Sequence, residues 1–362
     1  MVRKRILVAV LMLFLLSTVV LTGCGGGSKG QNGEVRVYCF GDYIDPDLVY
    51  DFQEKTGIKV IMDTFDTNEE MYPVVSKRSV NYDVICCSDY MVEKLISEGL
   101  LYDFSSDETY GHLSKLENYA NLDEKYLKIA EGCDPGNSYA VPHTYGTLGI
   151  LYNTEKVAEG EIKSWNDLWN SKYEQQIVMP DSMRDNLAIA LKAKGYSINT
   201  KNEEELKEAT NYLMEQKPLV YTYANDSARD LAIGASADVV VVWNGEVLYS
   251  QEENENLEFV IPDEGTEEFM DLWAVPSYAE NVENAREWIN FMLSEDAALL
   301  NFDYLTYSIP NKAVIDSVSE DAKKMSYLFP EDELLSKCET LKSLGADGDD
   351  MYSKYWKEFK AE

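Results

Sequence analysis

Three apolar, strand-like runs each end in an aromatic residue with a carboxylate within three positions, and a fourth segment repeats the pair where a run begins. The run over 35–43 closes on Phe40, Asp42 and Tyr43, that over 82–90 on Ser88, Asp89 and Tyr90, and that over 238–246 on Trp243 and Glu246. The fourth segment is Phe269-Met270-Asp271. In an α/β sheet, ligands bind outside the carboxyl ends of the strands, so rings and carboxylates collected there describe a pocket for an organic cation. An ammonium against the face of an aromatic ring gains roughly 0.5 to 2 kcal/mol. Paired with a buried carboxylate it gains about 1.5 to 3 kcal/mol.

The elements that must position these residues alternate strand and helix. Residues 35–40 read as a strand, and Asp45-Pro46 caps and opens a helix that stops at Gly57. A strand over 58–65, a helix near 69–77, a strand over 82–87 and a helix over 89–98 closed by Gly99 complete one nucleus. After a linker expected at 142–149, Ser164 caps a short helix over 165–170, and 176–179 form a strand. Asp181-Ser182 then caps a long amphipathic helix ending at Gly195. A helix over 203–216, a strand over 219–223, a helix over 227–233 and a strand over 238–243 follow, and strands at 257–261 and 269–275 lead back to the first unit. This order predicts parallel sheets with helices on their faces. A chain that leaves one domain and later returns makes two crossovers, the connectivity of a hinge.

Residues 1–23 read as a targeting segment, with Arg3-Lys4-Arg5 ahead of an apolar stretch from Ile6 to Val20. Leu21-Thr22-Gly23-Cys24 looks like the lipobox of bacterial lipoproteins, which makes Cys24 the lipidated residue, and 24–34 form a glycine-rich flexible tether. The expected location is the outer face of the cytoplasmic membrane, periplasmic if the cell has an outer membrane, with the lipid as anchor. No other stretch approaches the roughly 18 apolar residues of a membrane span. The formal charge is −33, or about −36 once Arg3, Lys4 and Arg5 are set aside, which repels nucleic acid and attracts cations. Cys39, Cys86, Cys87, Cys133 and Cys338 have no disulfide-like spacing, although Cys39 and Cys86-Cys87 end neighbouring runs and could cluster near a ligand. His112 and His143 are the only histidines, neither has ligand spacing to a cysteine, and no metal or cofactor is expected. Gly-x-Ser-x-Gly, Ser-x-x-Lys, His-Glu-x-x-His and glycine-rich phosphate loops are absent, so no enzyme is expected.

Eight phrases in order resemble one family. Tyr38 to Tyr43, Thr56-Gly57-Ile58-Lys59-Val60, Asn68-Glu69-Glu70-Met71-Tyr72, Tyr82-Asp83-Val84, Ser164-Trp165-Asn166-Asp167-Leu168-Trp169, Trp243-Asn244-Gly245, Met270-Asp271 and the C-terminal Tyr352-Ser353-Lys354-Tyr355-Trp356 are similar to the solute-binding subunits of bacterial spermidine/putrescine ABC importers. The resemblance implies an α/β fold of the type II periplasmic-binding-protein class, two Rossmann-like lobes joined by a two-crossover hinge with the ligand cleft between them. Lobe 1 is expected over 35–145 plus 266–315, and lobe 2 over 146–265 plus 316–362. It implies a monomer that captures a polyamine by hinge closure and delivers it to an ABC permease.

By the same likeness the cleft residues are Phe40, Asp42, Tyr43, Ser88, Tyr90, Ser182, Asp185, Trp243, Phe269, Asp271 and Tyr307. Asp271, beside an aromatic residue at the return to the first lobe, is the expected principal anion. The family's two acidic positions at the cap of the long helix fall on Ser182 and Asp185, so one carboxylate is replaced by a hydroxyl unless Asp181 substitutes. Arg184 is expected to pair with a neighbouring carboxylate, and Lys342 stands where the family has a glutamine. Two other readings keep the fold: a ferric-iron protein using Tyr221 and Tyr223, and a polyamine sensor that does not deliver its ligand.

Overall fold

The computed structural model describes residue 30 and residues 32–318 and 332–361. The targeting segment, Cys24 and nearly all of the tether lie outside these residues. No helix among the described residues is long and apolar enough to cross a membrane.

The strands are β1 (Glu34–Phe40), β2 (Lys59–Phe65), β3 (Val84–Ser88), β4 (Ala140–Asn153), β5 (Ile177–Met179), β6 (Val220–Tyr223), β7 (Val239–Trp243), β8 (Leu257–Val260), β9 (Glu267–Ala274) and β10 (Glu339–Thr340). They hydrogen-bond in the order β2-β1-β3-β9-β4-β7-β5-β6, with β8 on β4 and β10 on β9. β1 is parallel to β2 and β3, and β5 is parallel to β6 and β7, as the alternation of strand and helix requires. β9 departs from that expectation. It runs antiparallel to both β3 and β4, because it enters the first sheet as the chain returns from the second lobe.

Each lobe has its own core. Trp273, Trp288 and Phe52 pack beneath the first sheet, and Trp165, Ile177 and Val241 fill one face of the second. The C-terminal helix Gly345–Ala361 packs Tyr352, Tyr355 and Phe359 against the helices Met183–Ala193 and Glu203–Gln216, while Glu339 of β10 pairs with Glu267 on the first sheet. Helix starts carry the expected caps: Asp45 accepts from Asp47 N, and Ser182 accepts from Asp185 N.

The segment expected as a linker at 142–149 is instead the middle of β4. All fourteen residues of that strand are buried, and it pairs with β9 through its first half and with β7 and β8 through its second. Pro142 and the glycines that suggested a loop have strand-specific explanations. The register shifts between Pro142 and Thr144, so Pro142 sits at a bulge, where a missing N–H is tolerated. A Cβ on Gly149 would lie 2.2 Å from the Phe259 ring and 2.8 Å from the Val260 carbonyl oxygen, so glycine permits β8 to approach.

The cysteines form no group at a ligand. Cys86 and Cys87 point to opposite faces of β3 into separate cores, and Cys39, Cys86, Cys87 and Cys133 are free and buried. Burial pushes the Cys39 thiol up to about 12 and the other three upward as well, so these thiols stay protonated and unreactive.

Two outcomes follow from β4. Gly149→Ala forces backbone against backbone and is expected to cost about 2 kcal/mol, read as a lower urea midpoint with unchanged slope. A midpoint within error of the parent would remove the close-approach argument. His143, 4% exposed, is held neutral by burial, which pulls its imidazole down to about 3. Its folded value lies below the unfolded one, so the unfolded chain takes up a proton first as pH falls through about 6.5, and stability is lost from there downward. His143→Gln changes packing equally at every pH but abolishes this loss. The variant should therefore gain about 2 kcal/mol relative to the parent between about pH 7.5 and about pH 5, and parallel pH profiles would refute the assignment.

Candidate ligand-binding site

One cavity of about 410 Å³ lies between the lobes, and all eleven expected cleft residues line it: Phe40, Asp42, Tyr43, Ser88, Tyr90, Ser182, Asp185, Trp243, Phe269, Asp271 and Tyr307. Their placement follows from the topology. Phe40, Ser88 and Trp243 end β1, β3 and β7, Ser182 and Asp185 open the helix Met183–Ala193, and Phe269 and Asp271 alternate on β9 so that both face inward.

Asp271 is 4% exposed and is held by three hydroxyls. Ser88 Oγ donates to its Oδ1 at 2.6 Å, Tyr43 OH donates to its Oδ2, and Thr144 Oγ1 lies 3.4 Å from Oδ2. Asn68 Nδ2 in turn donates to Ser88 Oγ at 2.9 Å, fixing that hydroxyl's direction. Burial pushes the Asp271 carboxyl above its ordinary value, and the three hydroxyls pull it back. The result is a fixed acceptor with neutral donors and, among the described residues, no cation among its hydrogen-bond partners.

The rings form a continuous wall around that carboxylate. Tyr43 meets Phe40 edge to face at 5.4 Å and Tyr307 at 6.0 Å, and Phe269 meets Tyr307 at 6.3 Å. Tyr307 crosses between the lobes, donating to Glu246 Oε1 at 2.9 Å. A Cβ at Gly245 would fall 2.0 Å from the Tyr307 ring, so only glycine lets that ring seat against the start of the helix Glu246–Glu253. Asp42 differs from the buried members. Its backbone is left-handed at φ 47°, and its carboxylate is exposed at the rim, 4.0 Å from Arg229.

Several lining residues were not among the expected ones. Glu69, Asp226 and Glu267 add carboxyls beside Glu246, which closes the run over 238–246, and Arg229 is the one cationic side chain on the wall among the described residues. Arg229 pairs with Glu246 at 2.8 Å. Glu246 follows the same strand-end pattern as Trp243, three positions on, and Glu267 shares the inward face of β9 with Phe269 and Asp271. The spacing argument named Glu246 and had Glu267 within its reach. Asp226 sits in a loop whose position is set by tertiary packing, with its Oδ2 2.9 Å from where a Cβ on Gly41 would be.

The remaining expectations resolve individually. Asp181 does not substitute for Ser182: it is bound by Lys360 at 2.5 Å and lies off the cavity. Arg184 makes no ion pair among the described residues. It stacks over Tyr90 and Tyr352 and donates to the Lys342 carbonyl and to Asn199 Oδ1, because the C-terminal segment supplies acceptors where its guanidinium ends. Lys342 is exposed and outside the cavity, as are Tyr221 and the half-buried Tyr223, whose ring meets Phe359. Asp89, the carboxylate that follows the run over 82–88, does not line the cavity: it is 5% exposed and accepts from the Tyr90 and Met270 amides.

The chain is similar throughout its length to known proteins. Residues 47–327 match the family described as bacterial extracellular solute-binding protein. The spermidine/putrescine-binding periplasmic protein of Salmonella typhimurium is 30% identical over 96% of this chain and 97% of its own. The putrescine-binding periplasmic protein SpuD of Pseudomonas aeruginosa is 30% identical over the same shares. Among solved structures, the spermidine/putrescine ABC transporter substrate-binding protein PotD of Streptococcus pneumoniae is 33% identical, with a TM-score of 0.73 over 91% of this chain and 98% of that one. A structure from Listeria monocytogenes, also 33% identical, reaches 0.84 over 90% and 98%. With this match, its periplasmic-binding-protein fold and a cleft between two lobes, the chain belongs to the family of bacterial extracellular solute-binding proteins.

Proposed function

We propose that this protein captures a polyamine, putrescine or spermidine, in the cleft between its lobes outside the cytoplasmic membrane, and delivers it to an ABC permease. The carrying observation is the cavity wall, on which Asp271 is held by neutral hydroxyls and flanked by Phe40, Tyr43, Phe269, Trp243 and Tyr307. A polyamine is a chain of methylenes with ammonium groups at intervals, so it needs fixed anions with apolar walls between them. The relatives named for spermidine and putrescine, similar over nearly the whole chain, support the same ligand class.

In this reading the lobes, 35–145 plus 266–315 and 146–265 plus 316–362, rotate about β4 and the return through β9, and the Cys24 lipid keeps the monomer at the membrane. Closure removes water from the cleft, which strengthens both the ring contacts and the ion pairs. Two or three such contacts are sufficient for micromolar affinity, about 8 kcal/mol, after ordering costs.

A thermal-shift panel tests the reading. A putrescine or spermidine concentration near 100 times the dissociation constant should add about 2.7 kcal/mol of stability, and arginine, choline and ferric citrate should add none. If no diamine or polyamine moves the transition, the polyamine assignment fails. Asp271→Asn keeps the size of the side chain but removes its charge. It is expected to weaken amine binding at least about tenfold with the fold retained, and unchanged affinity would mean that another carboxylate is the anchor.

A further inference from the structure

β4 changes partner between Thr147, which pairs with Glu268 of β9, and Leu148, which pairs with Trp243 of β7. Beside that change a turn from each lobe is tied to the strand. The Tyr145 amide donates to the Ser308 carbonyl at 2.9 Å, and the Asn244 amide donates to the Thr147 carbonyl at 2.9 Å. The Thr147 amide in turn donates to Asn244 Oδ1 at 3.1 Å. Next to these anchors the two turns touch each other directly: Thr306 Oγ1 donates to the Gly245 carbonyl.

The backbone that delivers this hydroxyl is strained. Thr306 ends the helix Glu295–Leu305 at φ 57°, in the left-handed region, with its amide on the Phe302 carbonyl at 2.8 Å. Six non-glycine residues among those described have positive φ, and Thr306 is the one with a branched Cβ, the type that avoids this region most. Glycine would end the helix here without strain. What threonine adds is the hydroxyl, and its bond leads to the opposite lobe. Such conformations persist where neighbours fix them, and Leu305 and Tyr307, each 7% exposed, are packed in the first-lobe core on either side.

We propose that Thr306 is a clasp between the lobes: its hydroxyl on the Gly245 carbonyl holds them at the closed angle, beside the hinge and without touching ligand. The assignment rests on the cleft being a hinged polyamine site. The neighbouring contact across the lobes, Tyr307 to Glu246, is different in kind, since both side chains line the cavity and an amine competes for the same carboxylate. Thr306 is not on the cavity wall. No ligand group displaces its bond, so its share of the closed form is the same for any amine.

Rotation of one lobe against the other lengthens the contact, and a hydrogen bond is lost beyond about 3.5 Å. Opening must therefore break the Thr306 bond, whereas an open protein meets its ligand with the bond already absent. The clasp acts on departure rather than on encounter. It also favours the shut arrangement in the ligand-free protein, without completing closure by itself. Since closure on any amine includes the same bond, removing it speeds the release of each by one factor.

Stopped-flow tryptophan fluorescence, to which Trp243 on the cavity wall contributes, reads association and dissociation of putrescine and spermidine on the full chain. Thr306→Val keeps the branched shape and removes the hydroxyl. It is expected to release both amines about fivefold faster, the factor one neutral hydrogen bond supplies, with association within about twofold of the parent. Thr306→Ser keeps the hydroxyl and should keep the parent's rates. Thr306→Gly removes hydroxyl and strain together, so it should release amines as fast as Thr306→Val, and it takes that variant's place should Thr306→Val not fold. Small-angle X-ray scattering of ligand-free protein should give a larger radius of gyration for Thr306→Val and Thr306→Gly than for the parent. Unchanged release with only a lower urea midpoint, unequal factors for the two amines, fast release by Thr306→Ser or an unchanged radius would each overturn the clasp. A parent protein that binds neither amine would instead overturn the polyamine reading, and the scattering comparison would still decide the clasp.

Discussion

The governing constraint is negative charge collected where water is scarce. Asp42, Asp66, Glu69, Asp185, Asp226, Glu246, Glu267, Asp271 and Asp303 line one cavity, against Arg229 alone as a cation among the described residues. A carboxylate taken out of water must be hydrogen-bonded, paired or protonated, because its uncompensated ionised form is too costly. The cavity uses all three solutions. Asp271 is hydrogen-bonded by hydroxyls, Glu246 is paired with Arg229, and burial pushes the Asp185 and Glu267 carboxyls toward their protonated forms. These are not equivalent with respect to a ligand. A carboxylate satisfied by neutral hydroxyls keeps its charge available, whereas one satisfied by a guanidinium has already spent it.

The fold delivers this arrangement through two strands. β4 carries hydrogen bonds to the first sheet at one end and to the second at the other, and β9 lies beside it with every second side chain facing the cleft. Strand ends and helix starts then bring the remaining groups to the same level. The N-terminus of the helix Met183–Ala193 adds a favourable field for Asp185, and its capping serine fixes the approach of the chain. Gly41 and Gly245 matter because a side chain at either would displace Asp226 or Tyr307, the residues that approach from the opposite lobe.

Much of the site was legible because strand ends are legible. Phe40, Ser88 and Trp243 follow β-rich runs bounded by turn residues, and the topology of an α/β sheet sends all such ends to one side. Glu267 was missed although it obeys the same alternation as Phe269 and Asp271, since the run appeared to begin two residues later. Asp226 carried no local signal at all, and the partners of Arg184 come from residues near 199 and 342 that only tertiary packing brings together. The linker expected at 142–149 shows the converse failure. Proline and glycine ordinarily mark loops, but here a bulge and a close strand approach use the same residues for other reasons.

The distribution of acids between the lobes gives a physical reason for ligand and closure to be coupled. Asp185 and Glu246 stand on one lobe, Glu267, Asp42 and Asp271 on the other, and bringing ionised members together raises their mutual repulsion as water is expelled. Two contacts that cross the cleft, Tyr307 to Glu246 and Arg229 toward Asp42, offset that repulsion with a hydroxyl proton or a cation. A ligand shifts a conformational equilibrium only by its differential affinity for the two arrangements. Under the proposed reading a chain of ammonium groups has that differential affinity, since its several nitrogens can engage carboxylates of both lobes at once. A monovalent ammonium compound reaches one wall at a time and lacks it. Under the proposed reading, the spacing of charge along the ligand is therefore what converts binding into closure, and the permease would receive the closed form only when a polycation holds it.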